Sequence, residues 1–145
     1  MLASSPNRPE RAIGLDRSGS MLAAAPPLPE GWAVVEGDAT ALPYSDHSFD
    51  VVTICYLLHL LERQHRLCVL REARRVARGQ GRVVIVTVDA RSLPLRWVLK
   101  LPPRWTGLRT IDLAGDLRTA KLRAVRSLQV GGGWPSSCWL AEPAG

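Results

Sequence analysis

The chain has 145 residues, of which 46% are apolar and 22% charged, with a formal net charge of +6. That balance gives a folded chain with a core of its own and excludes a disordered tail, a collagen-like rod and a disulfide miniprotein. The longest apolar run, Val51 to Leu61, is about half of the roughly 20 residues a membrane-spanning helix needs, so no membrane span is expected. The first residues carry Pro6, Arg8, Pro9, Glu10 and Arg11 where an export signal would place its apolar core. Cys55, Cys68 and Cys138 fit neither zinc-site nor C-x-x-C spacing and are read as buried thiols of a cytoplasmic protein, with no metal site.

Charge is unevenly distributed. Residues 1–62 hold three basic side chains against eight acidic ones, and residues 63–145 hold sixteen against five. A basic half attracts polyanions. Seventeen of the nineteen basic residues are Arg, however, and no aromatic-interleaved basic motif accompanies them, so nucleic acid is not an expected partner.

After an extended or disordered segment at residues 1–11, the chain alternates short apolar runs with short loops, the rhythm of an α/β domain over residues 12–145. Residues 12–15 read as a strand ending on Asp16. Residues 18–25 read as a short helix capped by Ser18 and stopped by Pro26-Pro27. Trp32 to Glu36 is a second strand, followed by Gly37-Asp38. Residues 49–56 are a third, apolar on both faces as a central parallel strand is. Glu62 to Arg78 has apolar residues at three- and four-residue spacing with arginines between them, which predicts a helix, and Gly79 stands where a C′ residue ends one. Arg82 to Val88 is a fourth strand. Beyond Asp89, helices are expected over residues 93–101 and 111–122. Residues 122–130 and 138–141 form two antiparallel strands joined across Gly131-Gly132-Gly133.

Asp16 and Asp38 stand at corresponding places, each at the carboxyl end of a strand. Ligands of open parallel sheets bind beyond those ends, and a carboxylate there can accept two hydrogen bonds at once from ribose hydroxyls. Asp at a strand end is also a common cap or turn former, so each residue alone leaves both readings open.

Four segments together carry a resemblance: Ala12-Ile13-Gly14-Leu15-Asp16-Arg17-Ser18-Gly19-Ser20-Met21-Leu22, Gly37-Asp38-Ala39-Thr40-Ala41-Leu42-Pro43-Tyr44, Ser48-Phe49-Asp50-Val51-Val52 and Leu70-Arg71-Glu72-Ala73-Arg74-Arg75-Val76. In this order and spacing the chain resembles the class I S-adenosylmethionine-dependent methyltransferases, specifically the small-molecule type that includes ubiquinone and menaquinone biosynthesis enzymes. The resemblance covers residues 12–88 and extends to the C-terminal hairpin. It implies a Rossmann-like α/β fold with a mostly parallel sheet and an antiparallel C-terminal hairpin, S-adenosyl-L-methionine as cofactor and a small-molecule methyl acceptor as partner. By the resemblance Asp16 accepts from the cofactor's ribose hydroxyls. Met21 packs on the adenine face or, in the alternative, in the core, and Asp38 and Ala39 meet the adenine edge through side chain and backbone N–H. Cys55 and Tyr56 fall where the sheet opens toward sulfonium and substrate. His59 and Tyr56 are the two side chains placed to act as base or to position substrate, with a structural role as the other reading of His59. Asp50 is expected to be structural.

The resemblance also implies a first strand and a glycine-rich turn before the Asp16 strand, and residues 1–11, with two prolines and no apolar run, supply neither. The expected fold is therefore incomplete. In the order 3-2-1-4-5-7-6 that the resemblance implies, the absent strand lies between the Asp16 and Phe49 strands, so either those two pair directly or the sheet splits and leaves open edges. Binding of S-adenosylmethionine by this chain alone is then expected to be impaired. Two functions follow: a methyltransferase represented by part of its chain, or a catalytically inactive methyltransferase-like binding module with an arginine-rich surface.

Overall fold

A computed structural model describes residues 8–88, 111–130 and 136–144. The chain forms two compact units, Met1–Pro43 and Tyr44–Gly145, where a single domain over residues 12–145 was expected. The division follows the hydrogen bonding. Among the described residues, strands β1 (Ala12–Asp16) and β2 (Trp32–Glu36) pair with each other alone, and β3 (Phe49–Cys55) heads a separate four-stranded sheet. Of the two outcomes foreseen for the strands, the sheet splits.

In the first unit β1 and β2 run parallel, Ala12 opposite Trp32 through Asp16 opposite Glu36, joined by helix α1 (Gly19–Ala23). The predicted cap is present: Ser18 Oγ accepts from the Met21 N–H at 3.3 Å. The Trp32 indole donates to the Pro9 carbonyl at 3.0 Å, tying the N-terminal segment to β2. Among the described residues of this unit no side chain is buried. A two-stranded ribbon without a core is marginal alone, so the unit depends on further cover for its stability.

The second unit has a core. Its sheet runs β3–β4–β6–β5, with β4 at Ala77–Val88, β5 at Leu122–Val130 and β6 at Ser136–Pro143. β3 and β4 are parallel, and β6 lies antiparallel between β4 and β5. The expected hairpin strands are thus present, while the predicted helix over residues 93–101 and the Gly131–Gly133 turn lie outside the described residues. One face is packed by helices α2 (Arg63–Val76) and α3 (Leu113–Thr119), where Leu70, Val76, Val83, Ile85 and Leu117 are fully or almost fully enclosed. Alternation along β4 sets Val83, Ile85 and Thr87 on that face and leaves Val84, Val86 and Val88 half-covered on the other.

Three details depart from the sequence reading. Helix α2 ends at Val76 and runs straight into β4, since Ala77 is already extended at ψ 138°. Gly79 lies past it with nothing near its Cα substituent position. The helix end is satisfied by a loop instead: the His47 N–H donates to the Arg75 carbonyl at 3.0 Å, and Arg75 grips the Tyr44 carbonyl, Asp46 and Glu72. Gly81 is the glycine this junction requires, because a Cβ there would come within 2.9 Å of the Arg78 carbonyl and 3.1 Å of the Asp50 carbonyl. Helix α3 is shorter than residues 111–122, and Asp112 caps it by accepting from the Gly115 N–H at 3.0 Å. Any side chain at position 115 would collide with that carboxylate.

Arg66 is the third departure. Expected on the surface, it is 6% exposed and donates through Nε to Asp116 Oδ2 at 2.9 Å and through a terminal nitrogen to the Leu61 carbonyl at 2.8 Å. Asp116, 1% exposed, also accepts from Arg63 Nε at 3.0 Å. This pair locks α2 to α3. Removing one partner of a buried pair strands the other charge, so Asp116→Ala should cost about 3 kcal/mol. Arg63→Ala, losing only a solvent-facing partner, should cost less than about 1 kcal/mol. Urea unfolding of the two variants beside the wild type checks the difference.

Candidate functional site

The first unit presents the strand ends. The Asp16 carbonyl accepts from the Gly37 N–H at 3.0 Å, so β1 and β2 stay joined to their last residues. Asp16 Oδ1 accepts from the Ser18 N–H at 2.9 Å, turning the chain into α1, and Oδ2 has no partner among the described residues. Asp38 Oδ1 accepts from both the backbone N–H and the hydroxyl of Thr40 at 2.8 Å. That turn holds the carboxylate beyond β2 and sets Ala39 between two anchored residues. An open cleft of about 620 Å³ lies here, lined by Arg17, Glu36, Gly37 and Asp38.

Arg17 and Glu36 were missed in the sequence. Glu36 could have been found from strand register, because it is the partner of Asp16 across the parallel pair and its side chain leaves the sheet on the same face. Asp16, Glu36 and Asp38 make this edge acidic, and Arg17 is the one basic residue lining the cleft. Such an edge accepts hydrogen bonds from hydroxyls and amino groups and repels phosphates. Met21 is 64% exposed on α1.

The other candidates belong to the second unit. Cys55 ends β3 and, against the expectation of buried thiols, is exposed; Cys68 and Cys138 are half-buried, and all three are free. Among the described residues β3 has one neighbouring strand, β4, and Cys55 is exposed at its end. Partial desolvation and then the nearby Cys138 raise the Cys55 thiol pKa, so it is a poor nucleophile. Tyr56, expected as the last residue of that strand, turns out of it at φ 51°. Its hydroxyl meets Ser136 Oγ at 3.2 Å. His59, in a 3₁₀ turn over Leu58–Leu60, is 6% exposed with Nδ1 3.4 Å from Thr87 Oγ1. That placement supports the structural reading of His59. Asp50 pairs with Arg78.

Among the described residues no three His, Cys, Asp or Glu side chains gather as metal ligands, and no helix is long and apolar enough to cross a membrane.

The methyltransferase domain family matches residues 1–85, more than half of the chain. The chain belongs to that family. Its membership of the S-adenosylmethionine-dependent class I methyltransferases thus holds. Demethylmenaquinone methyltransferase of Thermotoga maritima is 40% identical over 73 residues, 50% of this chain and 31% of that protein. Demethylmenaquinone methyltransferase of Mycolicibacterium paratuberculosis is 32% identical over 139 residues, 90% of this chain and 54% of that protein. The chain therefore spans a third to about half the length of these relatives. Among solved structures, the [4+2]-cyclase SpnF superimposes with a TM-score of 0.76 at 19% identity, covering 96% of this chain and 69% of that one. This likeness shows the Rossmann-like methyltransferase fold and leaves the chemistry to the site.

Burial pushes the His59 pKa below its ordinary 6.5. The folded state then resists protonation that the unfolded state accepts, so the stabilisation is full above pH 6.5 and is lost as pH falls toward the lower folded value. The second unit should resist urea better at pH 7.5 than at pH 5.5, and His59→Gln should narrow that gap. An unchanged gap in the variant would show that other groups set the slope.

Proposed function

We propose that this chain carries the nucleoside-binding part of an S-adenosylmethionine-dependent methyltransferase acting on a small-molecule acceptor. The observation that carries the reading is the carboxylate edge on β1 and β2. Asp16 keeps one oxygen without a partner at the end of the first strand, and Asp38 is held by Thr40 at the end of the next. Asp16 would accept from the ribose hydroxyls, Asp38 from the adenine amino group, and the Ala39 N–H would donate to the ring. Met21, exposed on α1, would pack on the base. The acidic character of this edge favours an uncharged nucleoside over a nucleotide.

When bound, S-adenosylmethionine supplies an electrophilic methyl group. The chain's part in transfer is alignment of the acceptor with that methyl, which needs positioning more than acid or base chemistry. The relatives named as demethylmenaquinone methyltransferases support a quinone-type ring as acceptor.

The alternative of an inactive binding module rests on a free arginine surface; Arg71, Arg118 and Arg126 are exposed, while other described arginines are engaged within the chain. Arg63 and Arg66 are spent on Asp116, Arg74 on the Lys121 and Ala144 carbonyls, Arg75 on Glu72 and Asp46, Arg78 on Asp50, and Arg82 and Arg123 on Glu142.

S-adenosylhomocysteine titrated into the labelled full chain should shift the amides of Gly37, Asp38 and Ala39. Asp16→Ala or Asp38→Ala should weaken binding about tenfold or more, as expected for a hydrogen bond to a charged group. Shifts confined to other residues, or full affinity in both variants, would refute the assignment.

A further inference from the structure

Strand β5 is the most exposed strand of the second unit. Among the described residues it has one neighbouring strand, β6, and residues 123–129 are all exposed, including Val125 and Leu128 at 49% each. In the interior of the same sheet, residues 83–88 of β4 alternate between buried and half-covered positions. An edge strand turns a row of backbone N–H and C=O groups to solvent, and proteins blunt such edges with charge and with bulges. β5 has both. Its register with β6 shifts between Ala124 and Arg126, which leaves Val125 without an opposite residue. The bulge stops there. From Arg126 opposite Leu140 to Val130 opposite Ser136 the ladder is unbroken, and that is the length of an ordinary strand, enough for a further one to pair.

The charge along this edge has one sign. Residues 117–130 hold Arg118, Lys121, Arg123 and Arg126, all exposed, and no acidic residue. Arg123 shares the Glu142 carboxylate with Arg82, so two guanidinium groups face one carboxylate. The side chains of Arg118, Lys121 and Arg126 have no ion pair among the described residues. Side chains alternate along a strand, so Arg126 and Leu128 share one face, where they stand opposite Leu140 and Cys138. A second copy of this chain is a poor occupant of the edge, because β5 against β5 sets arginine near arginine, and like charges across a ladder destabilise it. An acidic strand meets the opposite condition.

We propose that the free edge of β5 is a docking strand for an extended acidic segment of a partner protein. The segment adds to the sheet through main-chain hydrogen bonds with residues 126–130. Its side chains supply the selectivity, an acidic residue beside Arg126 and an apolar one two positions away beside Leu128. Clustered positive charge raises the local concentration of such a segment before the ladder forms. The inference is independent of the nucleoside reading and gives the exposed arginine of β5 a role whether or not this chain transfers methyl groups.

The probe is a fluorescein-labelled peptide, Glu-Thr-Val-Thr-Glu-Thr-Val-Thr-Glu, whose sequence reads the same in both directions, and lysine replaces each glutamate in the control. The full chain should bind the acidic probe about tenfold more tightly than the control, the scale of a few cross-strand charge pairs, and added salt should narrow the difference. Arg126→Glu, at an exposed side chain without an ion pair, should leave the urea midpoint in place and bring the ratio to about threefold or less. Strand addition also slows amide hydrogen exchange at residues 126–130, which a contact through side chains alone does not do. Equal affinity for the two probes, a preference that Arg126→Glu leaves unaltered, or binding without slowed exchange overturns the proposal. So does a single-stranded oligothymidylate that binds more tightly than the acidic peptide and loses affinity in Arg126→Glu, which makes the edge a polyphosphate site. A concentration-dependent dimer in sedimentation that Leu128→Asp dissolves gives the edge to a second copy and overturns it as well.

Discussion

A parallel strand is stable when it has a hydrogen-bonded neighbour along each edge and cover on both faces, and that requirement governs this molecule. Strands β1 and β3 each have one ladder among the described residues, β1 with β2 and β3 with β4. The separate sheets, the want of buried side chains in the first unit, and the exposure of Ile13, Val51 and Cys55 all follow from it. In the second unit the same requirement is met on the other side by β4, β6 and β5 and by two helices fixed to one another through Arg66 and Asp116. Cohesion is therefore concentrated in the part of the chain that lacks Asp16 and Asp38.

Where local chemistry alone decides a structure, the sequence was readable. Ser18 caps α1, and Pro26-Pro27 lie beyond its end; Asp38 forms its turn with the adjacent Thr40; β1 and β2 end at acidic residues. What was not readable depended on distant partners. Gly79 looked like a helix stop, but the stop is made by His47 and by the grip of Arg75 on a loop some thirty residues earlier. Arg66 looked like one more surface arginine in a helix full of them, and only Asp116, fifty residues on, makes its burial tolerable. The pairing of Tyr56 with Ser136 spans eighty residues and has no sequence signature at all.

The candidate site divides along the same line. The carboxylates Asp16 and Asp38 were found because their strands and turns are local, and Glu36 was missed because it becomes a site residue only through its register with Asp16. The charge asymmetry also takes on structure. The acidic excess of the first half includes the residues that line the cleft, whereas much of the basic excess of the second half is spent internally, binding loop to helix, helix to helix and strand to strand. A count of charges describes the composition of the two halves, and the ion pairs show which charges remain to meet a ligand.

The direct passage from α2 into β4 has a consequence for how this chain can change over evolutionary time. Ala77 ends the helix and begins the strand, and the slack lies in the register break that follows, where Phe49 is opposite Ala77 and Val51 opposite Arg82; from Arg82 on the ladder has none. Side chains on a strand alternate between faces, and a shift of one position would exchange them all. Val83, Ile85 and Thr87 would leave the core and Val84, Val86 and Val88 would change places with them. Insertions and deletions should therefore be absent from Arg82 to Val88 in functional descendants.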